Sequence, residues 1–154
     1  MTMSIKVMAG IIGAALFLIF VIYIYNKLVR LRYAVNNSWS DIDVHLKKRY
    51  ELLPNLIEDV KGYAAHESET FTKITQLRTA AMNAQTPVEK AKADNNLTET
   101  LRSIVALAEA YPELKANEHF REIMVNMKEI DDNIEQARRF YNASVRDYNI
   151  ATSV

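Results

Sequence analysis

The sequence predicts an all-α fold: one N-terminal transmembrane helix continuing into a long antiparallel four-helix bundle. Three observations carry this expectation. Residues 7–25 form an uninterrupted uncharged run, VMAGIIGAALFLIFVIYIY, bracketed by Lys6 and Lys27. Glycine (3) and proline (3) are so scarce in 154 residues that turns must be few and elements long. The apolar residues of the remainder recur at steps of three and four, the helical period, and no window alternates for long as a strand would.

The first element is the apolar run. As a helix it would be about 28 Å long, close to the hydrocarbon thickness of a bilayer. Tyr23 and Tyr25 stand near one end, where amphipathic rings favour the headgroup boundary. A cleavable signal peptide would have a shorter apolar core, about 7–15 residues, followed by a small-x-small site. Here the run ends in the bulky Ile22, Tyr23, Ile24 and Tyr25. A buried core helix seldom stays apolar on every face for so long. The expectation is an uncleaved anchor, with residues 1–26 as tail and anchor and 27–154 as the bundle domain. Ala9/Gly13 and Gly10/Ala14 are small-xxx-small pairs of the kind that let two such helices approach closely, a motif also common by chance.

After the anchor, Leu28, Leu31, Val35, Trp39, Ile42, Leu46 and Leu53 share one helical face, with no Gly or Pro before Pro54. A single helix is expected from the bilayer to about Leu52. Pro54 should then interrupt it, because it lacks an N–H and pushes its predecessor from helical dihedrals. A second stripe runs through Leu56, Val60, Tyr63, Ala64, Phe71, Ile74, Leu77 and Ala81, and residues 83–86 read as a loop. Thr86 before Pro87 has the form of an N-cap with proline at the first helical position. The third stripe is Leu97, Leu101, Ile104, Val105, Ala108 and Tyr111, closed by Pro112. Asn117 is placed to cap the fourth helix, whose stripe is Phe120, Ile123, Met127, Ile130, Ile134, Ala137, Tyr141, Val145 and Tyr148. Coiled-coil-like burial of these stripes against one another would be the main source of stability.

Composition narrows the function classes. Nineteen basic and nineteen acidic residues cancel, so there is no electrostatic basis for nucleic-acid binding. With no cysteine, a disulfide framework, a Cys-ligated zinc, a thiol nucleophile and a lipoprotein anchor are excluded. None of His45, His66 and His119 has a glutamate three positions before it, so the inward Glu-x-x-His pairs of di-metal bundles are absent. His66-Glu67 is followed at position 70 by Thr, not by the second His of a zincin motif. Glycine occurs only at 10, 13 and 62, so no phosphate-cradling loop can be built. Carboxylate pairs such as Glu67/Glu69 and Asp131/Asp132 read as solvated helix faces. The expectation is therefore a protein that is not an enzyme and needs no cofactor or metal.

The most informative stretch is Trp39–Arg49. Asp43 and Lys47 form an ordinary i,i+4 pair, and Asp41, His45 and Arg49 make a ladder at the same spacing. Arg49 is the odd member, because it falls in the apolar stripe between Leu46 and Leu53, and a charge there must be paired or must reach water. Three readings stand: an arginine snorkelling past the Pro54 turn, which is preferred; a buried structural ion pair; and a contact to a ligand or partner. Trp39 and the tyrosines of the fourth helix read as core.

The chain resembles the LemA family of bacterial membrane proteins. The resemblance rests on the block from Asn37 through Trp39, Arg49 and Pro54 to Glu58, on Val60–Glu67, on Ala108–Asn117, on Ala137–Asn142 and on Tyr148-Asn149, in that order along nearly the whole soluble part. It implies an N-terminal anchor with a helical bundle and little chemistry, since the family has no established catalytic activity or cofactor. Some relatives are associated with building specialised bacterial membrane compartments, which fits scaffolding. Family members usually continue past the last Tyr-Asn, so a further C-terminal stretch is expected to be missing here. The expected function is a membrane-anchored scaffold or adaptor acting through protein partners or self-association; the alternative is a sensor or ligand-binding module with a polar pocket between helices. Trp39, Asp41, Asp43, Arg49, Asn55, Tyr141 and Asn142 are the candidate structural or interaction residues. The bilayer is the expected first partner. Lys6 alone precedes the anchor, whereas Lys27, Arg30 and Arg32 follow it at once. The positive-inside rule then places the N-terminus outside and the bundle in the cytoplasm, at the inner membrane.

Overall fold

A computed structural model describes residues 5–153, with side chains from residue 7 onward. The tail ahead of Ile5, and the Lys6 side chain on which the charge comparison leans, lie outside the described residues. Every element among them is helical: α1 (Ile5–Lys61), α2 (Ser68–Asn83), α3 (Pro87–Ala110), the single turn-and-a-half α4 (Pro112–Ala116) and α5 (Glu118–Thr152). The chain divides into two compact units, Met1–Ser38 with Arg139–Val154, and Trp39–Arg138.

In the first unit, α1 begins as the apolar run, and its large side chains are exposed throughout, from Val7 (51%) to Tyr25 (67%). Nothing among the described residues covers them, and α1 is the one helix among those residues long and apolar enough to cross a membrane. Ser38, at the far end of this unit's α1 segment, is buried and bonds back to the Ala34 and Val35 carbonyls, which satisfies its hydroxyl within the helix.

In the second unit, one apolar core is drawn from five segments. It takes Ile42, Leu46, Leu53, Leu56 and Val60 from α1, Phe71 and Ile74 from α2, and Leu97, Leu101 and Ile104 from α3. Leu114 of α4 and Phe120, Ile123, Met127 and Ile134 of α5 complete it. The stripe of α3 follows the helical period except at Val105, which is exposed: it adjoins Ile104 but is turned about 100° from it around the helix, toward solvent. Ile130, expected in the core, is half-buried, as are Trp39 in this unit and Tyr141 in the other.

One boundary differs from the sequence reading. α1 does not stop near Leu52 but runs through Pro54 to Lys61. Proline at 54 removes the N–H that would bond the carbonyl of Tyr50 four residues back. That carbonyl instead accepts a 2.7 Å hydrogen bond from Arg78 Nε of α2. The partner lost within the helix is supplied from outside it, so the helix continues. The break falls instead at residues 62–67, a pair of turns closed by Ala64 N to the Val60 carbonyl and Glu67 N to the Ala64 carbonyl. Consequently α2 is shorter than its stripe suggests, and Tyr63 is exposed rather than core.

The local start signals are realised. Thr86 Oγ1 accepts from Glu89 N (3.2 Å), while Glu89 Oε2 accepts from Thr86 N (3.3 Å), a complete capping box with Pro87 opening α3. These backbone donors hold the Glu89 carboxyl below its ordinary pKa. Asn117 Oδ1 accepts from Phe120 N at 2.9 Å and so caps α5.

Candidate functional site

The second unit holds a set of charges inside its core. Arg49 and Asp94 are 3% and 2% exposed, a degree of burial at which an unpaired charge would be prohibitive. Arg49 reaches that position because it shares the inward face of α1 with Leu46 and Leu53; Asp94 does so because it precedes Leu97 by three and Leu101 by seven on the inward face of α3. Arg49 Nη1 donates to Asp94 Oδ1 at 2.9 Å and lies 2.9 Å from Thr98 Oγ1, whose own hydroxyl donates to the Asp94 carbonyl. The other carboxylate oxygen, Asp94 Oδ2, accepts from Arg138 Nη2 of α5 at 3.0 Å. Arg49 Nε faces Asp131 Oδ1, also of α5, at 3.1 Å, near enough for ion pairing but not aligned as a hydrogen bond. Two arginines and two aspartates thus link α1, α3 and α5 with no net charge. Asp94 and Arg49 are the dry end of the network; the side chains of Arg138 and Asp131 are 39% and 44% exposed and form its wet end.

The surroundings polarise the neighbouring groups. Burial raises the Asp131 carboxyl above its ordinary pKa; Arg49 opposes this, while Asp94 and Asp132 add to it. Tyr50, next to Arg49 and itself buried, has a hydroxyl with no hydrogen-bond partner among the described residues. Burial, then the charge of Asp94, pushes its phenol well above the ordinary value. A smaller cluster involves Asp43 of α1, which is paired with Lys90 of α3 and, at 3.1 Å, with Lys47. Burial alone would raise the Asp43 carboxyl, but the hydrogen bonds and charges of Lys90 and Lys47 outweigh it and hold the pKa below its ordinary value. At the other end of the unit, Asp59 meets His119 of α5 at 2.7 Å.

The candidate residues are therefore brought together only in part. Arg49 does not snorkel: its guanidinium turns inward, because Asp94 offers an acceptor that is as buried as the arginine itself. The Asp41–His45–Arg49 ladder is not formed. Asp41 is exposed, and His45 keeps a buried Nδ1 without a hydrogen-bond partner. Asp43 is engaged with Lys90 as well as with the expected Lys47. Asn55 and Asn142 are exposed, while Trp39 and Tyr141 are half-buried. The sequence reading missed Asp94, Thr98, Lys90, Arg78 and Arg138, and took Asp131, which pairs with Arg49, for part of a solvated helix face. For Asp94 a signal was present, an acidic residue in an apolar stripe matching the basic residue in the stripe of α1.

Chemically, the network is occupied with itself. Both Asp94 oxygens accept from arginines, and among the described residues no group of three or more His, Asp or Glu side chains is placed to hold a metal ion. All members of the network, from Arg49 to Arg138, fall inside a match to the LemA family over residues 38–154. The chain belongs to the LemA family. Its relatives include Protein LemA of Metamycoplasma hominis, 27% identical over 125 residues, an alignment covering 80% of this chain and 57% of that protein. Magnetosome protein MamQ 2 of Paramagnetospirillum magneticum is 24% identical over 152 residues, covering 82% of this chain and 56% of the relative. Magnetosome protein MamQ of Magnetospirillum gryphiswaldense is 22% identical over 153 residues, with the same coverage of 82% and 56%. This LemA-family chain thus spans a little over half the length of the curated relatives it matches.

Proposed function

We propose that this LemA-family protein is a non-enzymatic, membrane-anchored scaffold whose helical domain binds protein partners or further copies of itself at the inner membrane. The observation that carries the reading is that the exposed apolar run and the buried Arg49 belong to one continuous helix, α1, so that the segment able to enter a bilayer and the first member of the charge network are joined without an intervening loop. A reaction centre would keep a nucleophile, base or cation available; here the strongest charges are spent on each other. Relatives that bear the name magnetosome protein favour a role at a membrane over one in bulk solution.

The helices of the second unit are read as an antiparallel bundle. Asp59 with His119 and Arg49 with Asp131 pair α1 with α5 in opposing directions, and Asp43 with Lys90 and Arg49 with Asp94 pair α1 with α3 in the same direction, which supports up-down-up-down connectivity. Lys27, Arg30 and Arg32 outweigh Lys6, which supports a cytoplasmic bundle and an external N-terminus. The test is in-cell photo-crosslinking from exposed positions of α3 and α5, combined with the size of the detergent-solubilised protein. Discrete crosslinked partners or a homo-oligomer are expected; a monomer with no crosslinks would refute the scaffold. Fusion of alkaline phosphatase after Val154 should be inactive, and an active fusion would place the bundle outside.

A second reading is favoured by one feature. A cleft of about 350 Å³ between α1 and α5 has Leu52 and Ile130 in its walls beside the polar His45, Lys48, Glu51 and Glu129, and the unpaired His45 Nδ1 belongs to it. This is the place for a small polar ligand if the protein is a sensor. A His45→Ala variant that loses a ligand-induced rise in melting temperature would select that reading over the scaffold.

A further inference from the structure

The first unit has a groove of its own. It has a volume of about 530 Å³ and lies between Ile24, Lys27, Leu28 and Leu31 of α1 and Asp147 and Ile150 of α5. The α1 residues fall at steps of three and four and share one face; the α5 residues do the same. The walls are aliphatic, and the two charged members have opposite sign. Ile24 belongs to the apolar run, and Leu31 lies two turns beyond its end. This placement rests on the reading that the run spans a bilayer; the groove then opens at the headgroup boundary. Ile24 and Ile150 are 39% and 58% exposed, aliphatic surface that acyl chains would cover and water would not.

Charge complementarity identifies the occupant. Lys27 stands where lipid phosphates lie and supplies a cation for one. Asp147 opposes a headgroup that is only anionic and accepts from one that also carries an ammonium. It holds only a loose 3.5 Å pair with its neighbour Arg146 and is half exposed, so its carboxylate keeps acceptor capacity. We propose that the groove binds a membrane phospholipid whose headgroup carries both a phosphate and a primary ammonium, with the phosphate at Lys27, the ammonium at Asp147 and an acyl chain along Ile24, Leu28 and Ile150.

The test uses the full chain in nanodiscs made of equal parts phosphatidylethanolamine and phosphatidylglycerol. Native mass spectrometry reads which lipid stays bound as the disc is stripped, and circular dichroism checks that each variant is folded. Wild type should retain phosphatidylethanolamine about threefold over phosphatidylglycerol, the yield of one part-exposed ion pair. Asp147→Asn should remove that preference, Lys27→Gln should lower the retention of both lipids and leave the preference in place, and Lys92→Gln, on exposed α3 surface, should change neither. No preference in wild type, a preference untouched by Asp147→Asn, or lipid retention untouched by Lys27→Gln overturns the proposal. So does a self-associated protein that Ile150→Glu disperses without any lipid preference, since the groove would then be covered by a second copy. Extraction of the chain from membranes by alkaline carbonate would overturn the spanning reading, and the lipid site with it; an integral protein lacking the preference sinks the lipid site alone.

Discussion

Removing the Asp94 carboxylate should be among the most damaging single changes in the second unit. Asp94→Leu leaves Arg49 inside a core where it is 3% exposed, with Thr98 and one side-on carboxylate, Asp131, as its remaining partners. Breaking a buried pair by deleting one member costs about 3–5 kcal/mol, because the survivor stays charged and dry. Arg138 also loses an acceptor, but its side chain is 39% exposed and reaches water, so its share of the loss is small. For a protein of this length that loss corresponds to a drop of roughly 10 °C in melting temperature. Arg49→Met should cost a similar amount for the mirror-image reason. The informative variant is the double one. Arg49→Met/Asp94→Leu removes both buried charges, fills the space with aliphatic volume, and leaves Asp131 and Arg138 at the wet end. It should lie within about 1–2 kcal/mol of wild type, which makes the coupling between the two sites large and of opposite sign to the single losses. The assay is thermal or urea unfolding of the detergent-solubilised chain followed by helical circular dichroism. Single losses under about 1 kcal/mol, or a double variant as unstable as the two losses added, would refute the assignment of Arg49 and Asp94 as each other's buried counter-ion.

Arg78→Ala should cost about 1–3 kcal/mol by leaving the Tyr50 carbonyl unbonded, and much less in a Pro54→Ala background, where the new N–H can take that carbonyl; equal losses in both backgrounds in urea unfolding would sink the account of why α1 continues through its proline. Thr86→Ala should lose about 1 kcal/mol by dismantling the α3 capping box, checked by the urea midpoint at unchanged slope. Ile104→Ala, at a position 1% exposed, should lose about 2–5 kcal/mol, whereas the same change at the half-buried Ile130 should lose less; equal losses would contradict the burial pattern. Because the Asp43 carboxyl is held below its ordinary 3.8, it stabilises the fold fully above that value and loses its contribution as pH falls through the depressed pKa. The advantage of wild type over Asp43→Asn should therefore be full at pH 7 and shrink once pH drops below about 4, and a gap that widens on acidification would contradict it.

What could be read from the sequence was local, and what could not was tertiary. The Thr86-Pro87 start of α3 and the Asn117 cap of α5 depend on a few neighbouring residues, and both appear as read. Pro54 shows the limit of local rules. Its cost to the helix is certain, but whether the helix ends there depends on whether Arg78, 24 positions away, brings a donor to Tyr50. Arg49 could be singled out because a charge interrupts an apolar stripe, yet its fate depends on which face of α3 meets α1. The same test applied to α3 would have found Asp94, and two opposite charges in two stripes are a stronger sign of pairing than one charge in one stripe is of snorkelling. Trp39 and Tyr141 mark a different limit: a stripe tells which face turns inward, but not how far along the helix its cover extends, and both are half-buried.

The buried charges also answer a question that the apolar stripes leave open. Leucine and isoleucine recur every three or four residues on each helix, so sliding one helix past another by a turn, about 5.4 Å, exchanges one apolar contact for a similar one. Burial area alone discriminates weakly between such registers. Arg49 and Asp94 discriminate strongly. Each has one position at which its partner is within 2.9 Å, and a slip of one turn would set Arg49 against aliphatic side chains while Asp94 lost its arginine donors from both α1 and α5. The penalty is that of an unpaired buried charge, several kcal/mol, comparable with the whole net stability of a small domain. Asp43 with Lys90 repeats the constraint between α1 and α3 nearer the start of the unit, and Asp59 with His119 repeats it between α1 and α5 at the other end. The apolar stripes thus contribute most of the free energy of association, and the charges select the register in which it is realised. On this account the aliphatic double variant should keep its stability and lose uniqueness. Its backbone amides in α3 and α5 should exchange with solvent faster than in wild type at equal melting temperature; unchanged exchange would show that packing alone sets the register.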